Sequence, residues 1–166
     1  MPLPPSKGEA MKGENKEEMN GNLRSKFANV YERFGTSAEL EQKGVIIDYK
    51  LPNNEIFSIC IKRAGARNAE WKKIYNQVMK PHAEDIAEGL LSEIENKVLL
   101  AEIWAKSVVV GWDGLKDVEG VAVPFSVETA YELFCFMPDL LSDVISDSHL
   151  RSNFQEELVK ATAKNS

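Results

Sequence analysis

The chain has 166 residues, of which 43% are hydrophobic, and a formal net charge of −6. That length suits one ordinary domain, with a core large enough to need no disulfide or zinc staple. With only Cys60, Cys135, His82 and His149 available, and no CxxC pair, the pattern argues against a four-ligand zinc site.

The charge is unevenly spread. Residues 1–81 hold 14 Lys/Arg against 10 Asp/Glu, and residues 82–166 hold 6 against 16. An acidic second half is a poor footprint for phosphate, so nucleic acid is not the expected partner. No run approaches the ~20 apolar residues of a membrane span. The first 19 residues lack an apolar signal-peptide core, which makes the cytoplasm the expected compartment.

Residues 1–21 are rich in proline, glycine and charge and poor in large apolar groups. Such a stretch buries too little to offset its ordering entropy and reads as a disordered tail. A single α+β domain is expected over residues 22–166. Leu23, Phe27, Val30, Tyr31 and Phe34 recur every three or four residues, predicting a helix over 23–34 that Gly35 ends.

A β-hairpin is predicted over 44–63. Val45, Ile47 and Tyr49 alternate with Ile46 and Asp48, and Phe57, Ile59 and Ile61 resume the pattern after Pro52-Asn53-Asn54. Ser58, Cys60 and Lys62 make its second face more polar, open to solvent or to a partner.

The region 68–164 reads as a helical bundle. Asn68 caps a helix over 69–79, and Pro81 breaks it and opens a long helix to about Val110. Ile94, Val98, Ala101, Ala105, Val108 and Trp112 mark one face of that helix, and Leu99, Leu100, Ile103 and Trp104 widen it, so it is expected to be central and buried. Trp112–Phe125 reads as a loop. Ser126 caps a helix to about Met137, Pro138 opens another to about Ser146, and a last helix is predicted over 148–163. The fold class is therefore α+β: an N-terminal hairpin or small antiparallel sheet followed by a C-terminal helical bundle.

No catalytic set emerges. His82 with Glu84 and Asp85 resembles a general-base pair, but carboxylates in the first turn of a helix suit its dipole and explain the cluster better. Asp113 to Gly120 holds three carboxylates, yet Lys116 interrupts them and Pro124 stands where a calcium loop needs glutamate. Arg63-Ala64-Gly65-Ala66-Arg67 contains a single glycine and none of the spacing of a phosphate loop, and reads as a basic strand-to-helix turn. Cys60 and Cys135 read as two buried free thiols. Lys62–Lys80 is basic and carries Trp71 and Tyr75 one turn apart, a pattern that anchors a helix to its own core more often than it stacks on bases. No enzyme activity, cofactor or metal is expected.

One ordered set of landmarks runs through the chain. It comprises Phe34-Gly35, Leu40-Glu41, Gly44, Arg63-Ala64-Gly65, Asn68 and Trp104. It continues with Val108-Val109, Gly111-Trp112-Asp113-Gly114-Leu115, Val123-Pro124-Phe125-Ser126, Pro138-Asp139-Leu140, Asn153-Phe154 and Lys164-Asn165. This order resembles the tail assembly chaperones of long-tailed bacteriophages over roughly residues 34–165. The resemblance implies a non-enzymatic protein of the host cytoplasm that coats the tape measure protein. It also implies the major tail protein as a second partner, and self-association into a homo-oligomer. The competing expectation is a structural virion component, such as a tail completion or connector protein. Candidate contact residues are Trp112, Asp113, Leu115 and Phe125 in the loop, Trp71 and Tyr75 in the basic helix, and the polar hairpin face with its unpaired strand edge.

Overall fold

The computed structural model describes residues 14–156. Two compact units divide the chain: one runs from Thr36 to Phe154, and the other joins the stretch ending at Gly35 to the stretch beginning at Gln155.

The smaller unit contains α1 (Glu14–Lys26) and α2 (Ala28–Phe34). Residues 14–21, expected in the disordered tail, are helical; residues 1–13 lie outside the described residues. Arg24 and Lys26 in the last turn of α1 suit the helix dipole. The helix expected over 23–34 is broken at Phe27, where φ is −115° and ψ 37°. Phe27 closes one helix and opens the next: its N donates to Leu23 O, and its carbonyl accepts from Tyr31 N, both at 2.9 Å. Gln155 closes the far end by donating its Nε2 to the carbonyls of Arg33 and Gly35 at 2.7 and 3.0 Å. α2 buries none of its own residues.

The larger unit opens with α3 (Ala38–Lys43), capped by Ser37, a short helix absent from the sequence expectation. The hairpin follows as β1 (Val45–Lys50) and β2 (Ile56–Ile61). Asn53 and Asn54 take positive φ at its turn, a conformation asparagine tolerates well. The register pairs Val45 with Ile61, Ile47 with Ile59 and Tyr49 with Phe57, so the apolar sets of both strands share the inner face.

Next come α4 (Ala69–Met79), a short α5 (Ala83–Ala87) and α6 (Glu93–Ser107). The Asn68 cap is as expected, its side chain accepting from Trp71 N at 2.9 Å. Its amide also donates to the carbonyls of Arg63 and Ser107, which ties the start of α4 to the end of α6. The long helix predicted from Pro81 to Val110 is corrected at both ends. It breaks at Gly89, which takes φ +70°, and restarts in a capping box between Ser92 and Glu95. It stops at Ser107 because the following residues pair with β2 as a third strand, β3 (Val109–Asp113).

That strand makes an antiparallel sheet of order β1-β2-β3, with Ile61 opposite Val109, Cys60 opposite Gly111 and Ile59 opposite Trp112. The register shift leaves Val110 as the extra residue of a bulge. Trp112, assigned from periodicity to the apolar face of a helix, is a strand residue. The chain ends its described part with α7 (Val127–Phe136), α8 (Pro138–His149) and a 3-10 turn over Arg151–Phe154. The last helix expected over 148–163 does not begin at 148, because Leu150 is extended. Asn153 instead donates to the Asp147 carbonyl at 3.0 Å; residues 157–163 lie outside the described residues.

The core lies between the inner face of the sheet and the helices. Ile59, Ile61, Ile103, Phe134, Leu141 and Val144 are fully buried there, each stabilising the unit by about 1.5–3 kcal/mol relative to exposure. The C-terminal half of α6 is central, but its first turn is not: Ile94, expected on the buried face, is 79% exposed. The architecture is the expected α+β arrangement of a small antiparallel sheet followed by packed helices.

Among the described residues, one charged side chain is buried. Glu41 receives Arg63 at 3.3 Å, Arg67 at 3.1 Å and the Thr36 hydroxyl at 2.6 Å. A carboxylate so buried is tolerated because cations and donors surround it. Arg63 and Arg67 of the turn after β2 are thereby tied to α3, Arg63 largely buried and Arg67 reaching in from solvent.

Candidate protein-interaction site

The aromatic candidates face inward. Trp112 packs between Phe57 and Phe125, with ring centroids 6.0 and 5.1 Å away, and its Nε1 donates to the Val123 carbonyl at 2.8 Å. Leu115 and Phe125 are half-buried against the core. Trp71 stacks on Tyr75 at 4.8 Å and meets Trp104 edge-on at 5.8 Å. Burying such rings contributes chiefly to folding. Among the six candidates only Asp113 is exposed. All of the apolar candidates pack against the one core, Trp112 with Phe57 and Phe125, and Trp71 with Tyr75, Trp104 and His149.

The loop itself is a small built hairpin. Lys116 bridges Ala122, and Asp117 accepts at one carboxylate oxygen from the backbone N–H of Glu119 and of Val121, both at 2.9 Å. The carboxylate that suggested calcium therefore serves the turn. Val118 at the tip is fully exposed, and Val121 is exposed beside it. Among the described residues, no three of His, Cys, Asp and Glu gather closely enough to hold a metal, and no helix is long and apolar enough to cross a membrane.

The outer face of the hairpin is accessible, as expected. Asp48 is bonded to Ser58 across the strands at 2.5 Å, and Ile46 and Ile56 stand exposed on the same sheet. Cys60 is half-buried there, and desolvation holds its thiol above the ordinary pKa. Cys135, expected to be buried, is exposed. It sits on α7, whose Ala130 and Phe134 alone are buried, so the apolar run around it does not all face the core.

The largest exposed apolar side chain of α7 is one that sequence periodicity did not single out. Phe136 is 80% exposed at its C-terminal end, and Met137 is exposed next to it. Adjoining is a groove of about 270 Å³ between the first turns of α6 and the α7–α8 corner. Ile94, Val98, Phe134, Cys135 and Pro138 line it, and Glu93 and Asp139 stand at its rim. Lys97 crosses from α6 to α8 to bond Ser142 at 2.5 Å, so both walls are fixed to each other. A groove lined by the exposed Ile94, and by Cys135 and Pro138 next in the chain to the exposed Phe136 and Met137, suits an apolar side chain from a partner. Sequence signals for it existed in the Ser92-Glu95 capping box, which places Ile94 in a solvent-exposed first turn, and in Pro138, which forces a corner after Phe136.

Residues 66–165 match the family described as YdaY prophage protein. The match spans more than half of the chain, from the turn before α4 onward, and the protein belongs to that family of phage origin. No curated protein and no solved structure matches the chain. The groove, the loop hairpin and all six candidate residues lie inside the matched stretch; the β1–β2 hairpin and α1–α3 lie before it.

Proposed function

We propose that this phage protein is a tail assembly chaperone that binds the tape measure protein and acts by binding, without catalysis. The observation that carries the reading is the exposed apolar surface at Ile94, Phe136 and Met137, beside a groove in the part of the chain that matches a prophage family. A chaperone for a long helical client needs apolar contact that water covers until the client arrives. The ordered landmarks from Phe34-Gly35 to Lys164-Asn165 favour the tape measure protein as that client and the host cytoplasm as the place. The major tail protein is a second partner, and self-association accompanies both.

The test is co-expression with the tape measure protein of the same phage. Soluble, co-purifying client is expected, with its yield reduced when Phe136→Asp replaces the wild type. A client that stays insoluble and unbound would overturn the reading. So would a stoichiometric band of this protein in purified virions, which is the behaviour of a tail completion or connector protein.

A further inference from the structure

The groove at the start of α6 does not stand alone. Farther along the same helix a second cavity, of about 160 Å³, opens between Glu102, Ala105 and Lys106 and the start of α7 at Val127, Glu128 and Tyr131. The early turns of α6 thus face the end of α7, and its late turns face the beginning, so the two helices run in opposite directions past both cavities. Tyr131 in the second cavity and Cys135 in the first lie one turn apart on α7 and interact directly. The cavities therefore follow one another along a single cleft. From Glu93 to Lys106 α6 rises about 20 Å, the length of three to four helical turns.

The charge along this cleft has one sign. Lys106 is taken up by Glu102 at 3.3 Å, and Lys97 is bonded to the Ser142 hydroxyl. Glu93, Glu128 and Asp139 are exposed, and among the described residues no cation forms an ion pair with them. Each stands in the first turn of its helix, where the dipole favours a carboxylate. Because α6 and α8 begin at one end of the cleft and α7 at the other, those local preferences place carboxylates at both ends of it.

We infer that this cleft docks a basic amphipathic helix of a partner protein, its apolar stripe in the two cavities and its lysines or arginines against Glu93, Glu128 and Asp139. The inference rests on the reading of this face as the client site and narrows the client's docking segment to one chemistry. A helix lying in an apolar groove is held by side chains spaced three and four residues apart, and the charged rim selects among such helices. A second copy of the cleft would set carboxylates against carboxylates, which charge disfavours.

The experiment uses the full chain and two labelled synthetic helical peptides. Both carry one leucine stripe; one carries lysine and the other glutamate beside it. Fluorescence anisotropy should show the lysine peptide binding at least about tenfold tighter, with the preference shrinking as salt is added. The triple variant Glu93→Gln/Glu128→Gln/Asp139→Asn should bring the two peptides to within about threefold, with helical circular dichroism unchanged. Ile94→Ser, at an exposed position, should weaken both. Equal binding of the peptides by the wild type, binding of neither, or a preference that survives the triple variant would overturn the inference. A dimer that sedimentation shows to dissociate with Ile94→Ser would also overturn it, since a second copy would then fill the cleft. Co-expression with the tape measure protein separates the two readings. A client that co-purifies although neither peptide binds removes this inference and leaves the function. Peptide binding without capture of the tape measure protein removes the function and leaves a basic helix as the ligand of the cleft.

Discussion

Trp104 on α6 donates its indole N–H to the Ser148 hydroxyl at the end of α8, at 2.9 Å and with both residues buried. Ser148 passes its own proton to the Ile145 carbonyl at 2.8 Å, and its backbone carbonyl accepts from Ala64 N at 3.0 Å. One small residue thus joins the central helix, the last helix and the turn leaving β2. Ser148→Ala leaves the indole N–H buried without its acceptor. A loss of about 1–3 kcal/mol is expected in urea denaturation. Combining it with Trp104→Phe should cost less than the two single changes summed, because they remove the same bond.

Gly114 and Gly120 both take positive φ in the region after β3, at +89° and +81°, but their surroundings differ. A Cβ at Gly114 would collide with the Ile56 carbonyl of the neighbouring strand, whereas one at Gly120 would meet open space. Gly120→Ala should therefore cost only the strain of the backbone, about 1 kcal/mol. Gly114→Ala adds a backbone clash and should lower the thermal midpoint clearly further. Melting curves of the two variants side by side decide this; equal midpoints would contradict it.

His149 stands against the rings of Trp71 and Trp104, with centroids 6.3 and 5.8 Å away. Desolvation first, and the charge of Arg63 second, hold its pKa below the ordinary value. The unfolded chain therefore binds this proton more readily than the folded one. The stability the neutral ring contributes is present above the unfolded pKa of about 6.5 and is lost as pH falls through the folded value. Chemical denaturation at a series of pH values should show less loss below about pH 6.5 in His149→Gln than in the wild type. Parallel curves would remove His149 as the source.

The two cysteines should separate by reactivity. Cys135 is exposed beside the α6–α7–α8 groove, whereas Cys60 is half-buried with its thiol pKa raised by desolvation. Thiolate is the reacting species, so iodoacetamide should modify Cys135 first. A client seated in the groove should then protect Cys135 and leave Cys60 unchanged. Mass spectrometry of peptides labelled with and without the client reads both effects.

The sites legible in the sequence were those with local causes. Asn68, Ser126 and Pro138 begin their helices where their side chains and ring dictate. The two alternating β-branched runs pair in the register their apolar faces require. Interaction sites were less legible, because aromatic residues in turns look exposed on paper. Trp112 and Phe125 instead pack on Phe57 and on each other, and the exposed groups proved to be Phe136, Ile94 and Val118.

By itself, the sequence determined the α+β order, the hairpin and its inner face, the helix starts and the acidic second half. Each follows from side-chain periodicity, turn chemistry or charge over a few neighbouring residues. Only the tertiary structure decided that Val109–Asp113 is a strand, because its pairing partner, β2, lies about 50 residues earlier in the chain. It also decided that Glu41 gathers Arg63 and Arg67, and which aromatic rings meet water. These are properties of residues distant in sequence, and packing alone brings them together.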